Sequence, residues 1–185
     1  MLSARSSTLS LAARLARDAA LVLAGSALMA ISAQIAVPAA PIWGVPITLQ
    51  TLAIPVLVAL LGRRLGTAAV VAYLAEGALG LPVFQGFAGG AIKFAGPTGG
   101  YLIGFPLAAW LVGTFYERGL DGDYARRFVA VFLGTAVVFV TGAGWLAFGL
   151  HLGLGKAVAL GVLPFLIGDV AKCLVAAGLR PRRLG

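Results

Sequence analysis

The chain has 185 residues, of which 61% are hydrophobic and 11% charged, with a formal net charge of +8. A soluble domain carries about 25% charged residues, so this composition excludes one and reads as an integral membrane protein, a single domain over 1–185. The basic residues lie between apolar segments, so the charge points to membrane orientation rather than nucleic acid.

In chain order, residues 1–18 form a basic amphipathic lead-in to an uncleaved first helix; no clean signal-peptide pattern is present. A spanning helix needs about 20 mostly apolar residues. Six candidates follow, at about 19–37, 47–62, 65–81, 99–116, 127–149 and 157–179. Helices two and three are short, but Arg63-Arg64 separates them. With six helices all eleven arginines fall on one side, at the N-terminus, the 2–3 and 4–5 loops and the C-terminus. The other side has only Lys93 and Lys156. The arginine side is then cytoplasmic, with both termini.

The three connections on the other side, 38–46, 82–98 and about 150–163, are rich in Gly, Pro and aromatics. Ordinary solvated loops are more polar. These read as a lid over a cavity, or as re-entrant packing with no ligand.

Within the last helix, IGDVAKCLVAAG sets Asp169 and Lys172 three residues apart in apolar surroundings. A charge at bilayer depth costs about 2.5–3.5 kcal/mol on insertion scales and usually marks a functional path. Pro164 suits a first turn, so the helix proper starts there and 156–163 joins the outer cap. Both charges then lie in its outer half on neighbouring positions, able to face one pocket. The bland alternative is an ion pair that only neutralises itself.

Thr48, Gln50 and Thr51 cluster at the same level, with Gln85, Thr98, Tyr101, Trp43, Phe84, Phe87 and Phe94. Singly these are caps or interface anchors; together they describe an apolar pocket with a few polar groups. Glu76 is a further membrane charge, free to form a second site or to pair with Lys172 or Lys93. Cys173 is the only cysteine and His151 the only histidine, so no metal or disulfide is expected. No GxxxxGK[ST] occurs, and no catalytic triad is evident. Ala16, Ala20 and Ala24 form a small-residue ladder on helix one, suited to a partner helix or to internal packing.

Four blocks carry a family resemblance: QIAVPAAPIWGVPITLQTL (34–52), GALGLPVFQGFAGG (77–90), GPTGGYLIGFPLAAWLVG (96–113) and GVLPFLIGDVAKCLVAAGL (161–179). In this order they resemble the BioY family, the biotin-binding S components of energy-coupling-factor (ECF) transporters. The resemblance implies an all-α, six-helix subunit of the bacterial inner membrane. Such a subunit captures biotin from outside and is not an enzyme. A membrane coupling protein and two ABC-type ATPases would drive transport, with the subunit toppling in the membrane. Biotin would be cargo; no cofactor is implied. The family's membrane Asp and Lys correspond to Asp169 and Lys172, its polar position after PVF to Gln85 or Gly86, and its partner-facing surface to the Ala16–Ala20–Ala24 ladder. Glu76 departs from the apolar pattern.

Biotin's chemistry suggests a deep ureido ring, with N–H groups on Asp169 and the oxygen on Lys172, and a carboxylate near a rim formed by Lys93 or Lys156. The inverse pose puts the carboxylate on Lys172. The competing readings are an S component for another vitamin, an intramembrane enzyme with Asp169 as base, and a structural subunit that tolerates Asp169→Asn.

Overall fold

The computed structural model describes residues 2–37 and 45–182. It is built almost wholly of helices: α1 Leu2–Gln34, the helical run Gln50–Ala78, α4 Gly99–Phe115, α5 Tyr124–Gly144, α6 Leu154–Gly161 and α7 Leu163–Ala177. In-chain hydrogen bonding is what a lipid environment demands of a spanning backbone.

The run Gln50–Ala78 is two helices. At Gly62 the backbone turns to φ 76, ψ 173, a left-handed conformation that glycine adopts without a Cβ clash. Beyond that point the chain doubles back. Gln50 Nε2 donates to the Tyr73 hydroxyl at 2.9 Å, although 23 residues of straight helix would span about 34 Å. A Cβ on Gly66 would lie 3.0 Å from the Val58 backbone, so its absence lets the two arms touch. The arms, 50–61 (α2) and 63–78 (α3), are therefore separate helices, with the break one residue before the expected Arg63-Arg64 divide.

α1 is continuous from Leu2, so the lead-in belongs to the first helix, and it ends at Gln34, before the expected residue 37. Single π turns, Tyr116–Leu120 and Trp145–Gly149, extend α4 and α5. The last span is bent by 45° between α6 and α7; Pro164 occupies the first turn of α7, where proline is tolerated. Among the described residues, four helical runs are long and apolar enough to cross a membrane, or five with the bent pair. The fold at Gly62 splits one of them, giving the six-helix arrangement.

The α2–α3 hairpin, α4, α5 and α7 pack in a closed ring, with α7 returning to the hairpin, while α1 lies outside against the hairpin. The ring interior holds Ile54, Val58, Val70, Val112, Val131 and Val138, all nearly inaccessible. In lipid such helices associate through close packing rather than the hydrophobic effect.

The two ends of the bundle differ. At one end Arg63 pairs with Glu117 at 2.9 Å and stacks on Trp110. Arg127 donates to the Ala177 carbonyl at 2.7 Å, and the Arg182 N–H reaches Ala59 O. The opposite end carries the arginine-free connections. There a two-residue antiparallel ribbon, β1 Ala36–Val37 and β2 Ile47–Thr48, pairs Ala36 with Thr48. This small strand pair is the one departure from the all-α expectation among the described residues. The 79–98 connection folds inward through two 3₁₀ turns, Gln85–Phe87 and Ala91–Phe94.

Candidate functional site

At the arginine-free end the ring encloses a cavity of about 360 Å³, within the range of small-molecule sites. Three parts of the chain build it. The start of α2 supplies Thr48, Gln50 and Thr51; the 79–98 connection supplies Phe84, Gln85 and Lys93; α3, α4, α5 and α7 supply Tyr73, Tyr101, Phe105, Phe139, Phe165 and Lys172. The walls are largely aromatic, with polar groups at few points.

Lys172 carries the membrane-depth positive charge of this cavity. Its Nζ donates to the Thr48 carbonyl at 2.7 Å and to Thr51 Oγ1 at 3.1 Å. An ammonium has three donors, so these two leave one for a ligand. The lysine thereby ties α7 to the residues that follow β2.

Asp169 stands beside the cavity wall rather than on it, in interaction with Thr51 and Lys172, which line it. It is 3% exposed and is not among the residues lining the cavity. Its Oδ2 accepts from Thr135 Oγ1 at 3.4 Å and lies 3.8 Å from Cys173 Sγ. Its Oδ1 is buried without a partner among the described residues. Asp169 and Lys172 form no ion pair among the described residues. Three residues advance a helix by 300°, so the two side chains diverge by about 60°. Lys172 faces α2, while Asp169 sits between Thr135 of α5 and Thr51 of α2, the residue Lys172 also bonds.

The other expected residues divide by what their polar atoms already do. Gln50 is buried, its Nε2 on Tyr73 and its Oε1 accepting from Thr48 Oγ1 at 3.0 Å. Tyr101 donates its hydroxyl to Gly161 O at 2.7 Å, so it offers the cavity its ring. Phe84 is a buried wall, edge-on to Tyr73 and Phe94. Gln85 and Lys93 are exposed at the mouth. Lys156 is exposed on α6 and does not line the cavity, because the bend before α7 carries it away. Trp43 lies outside the described residues. Ala16, Ala20 and Ala24 are exposed along α1, which has no helix of this chain on that face. Glu76 bonds Ser26 of α1, rather than Lys172 or Lys93. Cys173 is buried beside Thr135 Oγ1 at 3.6 Å, a partly polar contact rather than a wholly apolar one. Among the described residues no group of His, Cys, Asp and Glu could hold a metal.

Sequence reasoning missed Tyr73, Thr135 and Gln34. Tyr73 and Thr135 look like ordinary helix residues in the sequence. Gln34 had a signal, a lone amide ending an apolar helix.

A second cavity of about 400 Å³ lies at the arginine end, lined by Arg63, Tyr116, Glu117 and Arg182. Val58 also lines this second cavity.

Comparison with known proteins places this architecture. A probable biotin transporter BioY of Pyrococcus horikoshii is 38% identical over 170 residues, 92% of this chain and 98% of that one. A biotin transporter BioY of Thermotoga maritima is 38% identical over 161 residues, 86% of this chain and 92% of that protein. The crystal structure of an S-component for biotin from an ECF-type ABC transporter superposes with a TM-score of 0.81 at 29% identity, covering 91% of each chain. The BioY family model matches residues 4–184. The helical hairpin, the cavity beneath the arginine-free connections and these matches along nearly the whole length agree: the chain is a multi-pass membrane protein of the BioY family.

Proposed function

We propose that this protein is the biotin-capturing S component of an ECF-type transporter, energised by a separate coupling protein and ABC-type ATPases. The observation that carries the reading is Lys172, a half-buried cation with a free donor on the wall of an aromatic cavity of small-molecule size. Biotin combines an apolar bicyclic ring, a ureido group and a chain ending in carboxylate. Aromatic walls suit the ring. A charged donor makes a stronger hydrogen bond than a neutral one, so Lys172 suits the ureido oxygen, and Lys93 at the mouth suits the carboxylate. Asp169, next to the cavity-lining Thr51 and Lys172, backs this wall with a carboxylate of opposite sign. Ala16, Ala20 and Ala24 form the surface for the coupling protein.

Binding of biotin analogues tests the pose. With the ureido group deep, a carboxyl ester binds within about tenfold of biotin, since a rim contact in water is worth little. A ureido-modified analogue loses about a hundredfold or more, the cost of a buried charged hydrogen bond. The reverse order, measured by competition on the purified protein, puts the carboxylate on Lys172 and overturns the pose.

The arginine-rich end is cytoplasmic in this reading. Gly155 on α6 and Gly122 in the 4–5 loop are both exposed and at opposite ends. Cys173 is buried, so it contributes little background labelling. A membrane-impermeant maleimide should label Gly155→Cys in intact cells and Gly122→Cys only after permeabilisation. The opposite pattern inverts the topology.

A further inference from the structure

Gln34, the last residue of α1, does not line the cavity. Its side chain nevertheless holds one of the cavity walls. Nε2 donates to the carbonyls of Phe84 at 3.1 Å and Val83 at 3.4 Å, and also lies 3.2 Å from Ala30 O in its own helix. Oε1 accepts from the Phe87 N–H at 3.1 Å. One amide thus grips both arms of the turn 84–88, whose ends are joined by mutual Phe84–Ala88 backbone hydrogen bonds.

That turn needs an external clamp. Gly86 and Phe87 are consecutive left-handed residues, at φ 69 and φ 55. Glycine adopts this region freely, but a non-glycine residue there costs about 1–3 kcal/mol and persists only where its surroundings impose it. Phe87 cannot supply the constraint through its side chain, which is 71% exposed. The fixed points are the Gln34 amide and the neighbouring Phe84 ring, packed on Gly77, Tyr73 and Phe94.

The turn in turn shapes the ligand space, since Phe84 and Gln85 both line the cavity. We infer that Gln34 is a positioning residue for the ligand: it holds the 84–88 turn in its binding shape and couples that shape to the position of α1. The end of α1 and this cavity wall then move together. A force applied along the exposed alanine face of α1 is transmitted to the wall through a side chain that touches no ligand. The inference rests on the reading of the cavity as the biotin site.

The test uses full-length protein carrying Gln34→Leu, Gln34→Glu, Gln85→Ala and the Gln34→Leu/Gln85→Ala double change. Leucine keeps the bulk and removes the amide. Gln34→Leu is expected to weaken biotin binding about tenfold, the scale of a lost, partly buried hydrogen-bond set, mainly through faster dissociation. Amide exchange at Phe87 should rise while the helices keep their protection. Gln34→Glu retains the acceptor for Phe87 N–H but sets an acceptor-only carboxylate oxygen against the Phe84 and Val83 carbonyls, so it should recover neither effect. The double variant should bind no worse than Gln34→Leu alone, within about twofold, because residues acting as one unit are not additive. Biotin binding by Gln34→Leu within about twofold of the parent, or additive losses in the double variant, overturns the inference. A failure of the cavity reading itself is separate: it appears as undiminished biotin binding by Lys172→Met, whatever Gln34→Leu does.

Discussion

Replacing Lys172 with methionine is expected to weaken biotin binding by about a hundredfold or more, the largest effect of any single change at the site. Two losses combine. A hydrogen bond to a charged group is worth about 1.5–3 kcal/mol, and the free donor of the ammonium is the one offered to the ligand. The same nitrogen also ties the Thr48 carbonyl and Thr51 Oγ1 to α7. Methionine keeps the stem in its apolar surroundings but leaves that carbonyl without its donor and the β2–α2 segment untethered. Arginine is not a neutral replacement, since its planar fork cannot reproduce a tetrahedral set of donors. Calorimetric titration of the purified variant measures the effect, with its melting midpoint recorded to verify folding. Binding within about threefold of the parent, a change well below the value of one charged hydrogen bond, would remove Lys172 from the ligand.

The largest stability effect is expected at the other end. Arg127 is 6% exposed. It donates to the Ala177 carbonyl at 2.7 Å and to the Asp121 and Gly122 carbonyls at 3.2 Å each. One guanidinium thus joins the start of α5, the 4–5 connection and the end of α7. Arg127→Ala leaves three carbonyls short of a charged donor, at a cost of about 3 kcal/mol. For a chain of this size that corresponds to a melting midpoint lower by about 6–12 °C. Its neighbour provides the contrast. Arg126 pairs with Asp123 at 3.2 Å, but both side chains are more than half exposed, and such a pair is worth about 0–1 kcal/mol. Arg126→Ala should shift the midpoint by about 4 °C at most. Thermal unfolding of both variants in the same detergent decides it; equal shifts would show that burial of Arg127 carries no structural weight.

Biotin binding is expected to survive Arg127→Ala at temperatures where the variant is folded. The arginine stands at the opposite end of the bundle and does not line the cavity. Lys172→Met should show the converse, a large affinity loss with a smaller change in melting. The pair separates the end that binds from the end that holds the bundle together.

Much of this was legible in the sequence, for reasons that differ by element. The six-helix arrangement followed from apolar length and from the one-sided arginines, because dehydration and charge act on residues wherever the chain later packs. The Gly-rich, charge-poor connections marked the cavity end, because lids over an apolar space need not be soluble. Lys172 stood out because a charge in lipid is costly. Gln34 did not, because a single amide at the end of a helix has many possible partners, and its partners lie 49–53 residues away.

What the sequence by itself determined, then, was the membrane class, the number and order of the helices, and which few polar residues had to be explained. These depend on composition over windows of a helix length. Only the tertiary structure decided that Lys172 lines the cavity while Asp169 stands behind its wall between Thr135 and Thr51, that Glu76 meets Ser26, that Lys156 turns away, and that Gln34 grips a cavity wall. Those outcomes depend on the angular phase of each helix and on which helices become neighbours. A shift of one residue turns a side chain by 100°, enough to move it from a cavity to a helix interface while leaving the hydrophobic pattern of the chain unchanged.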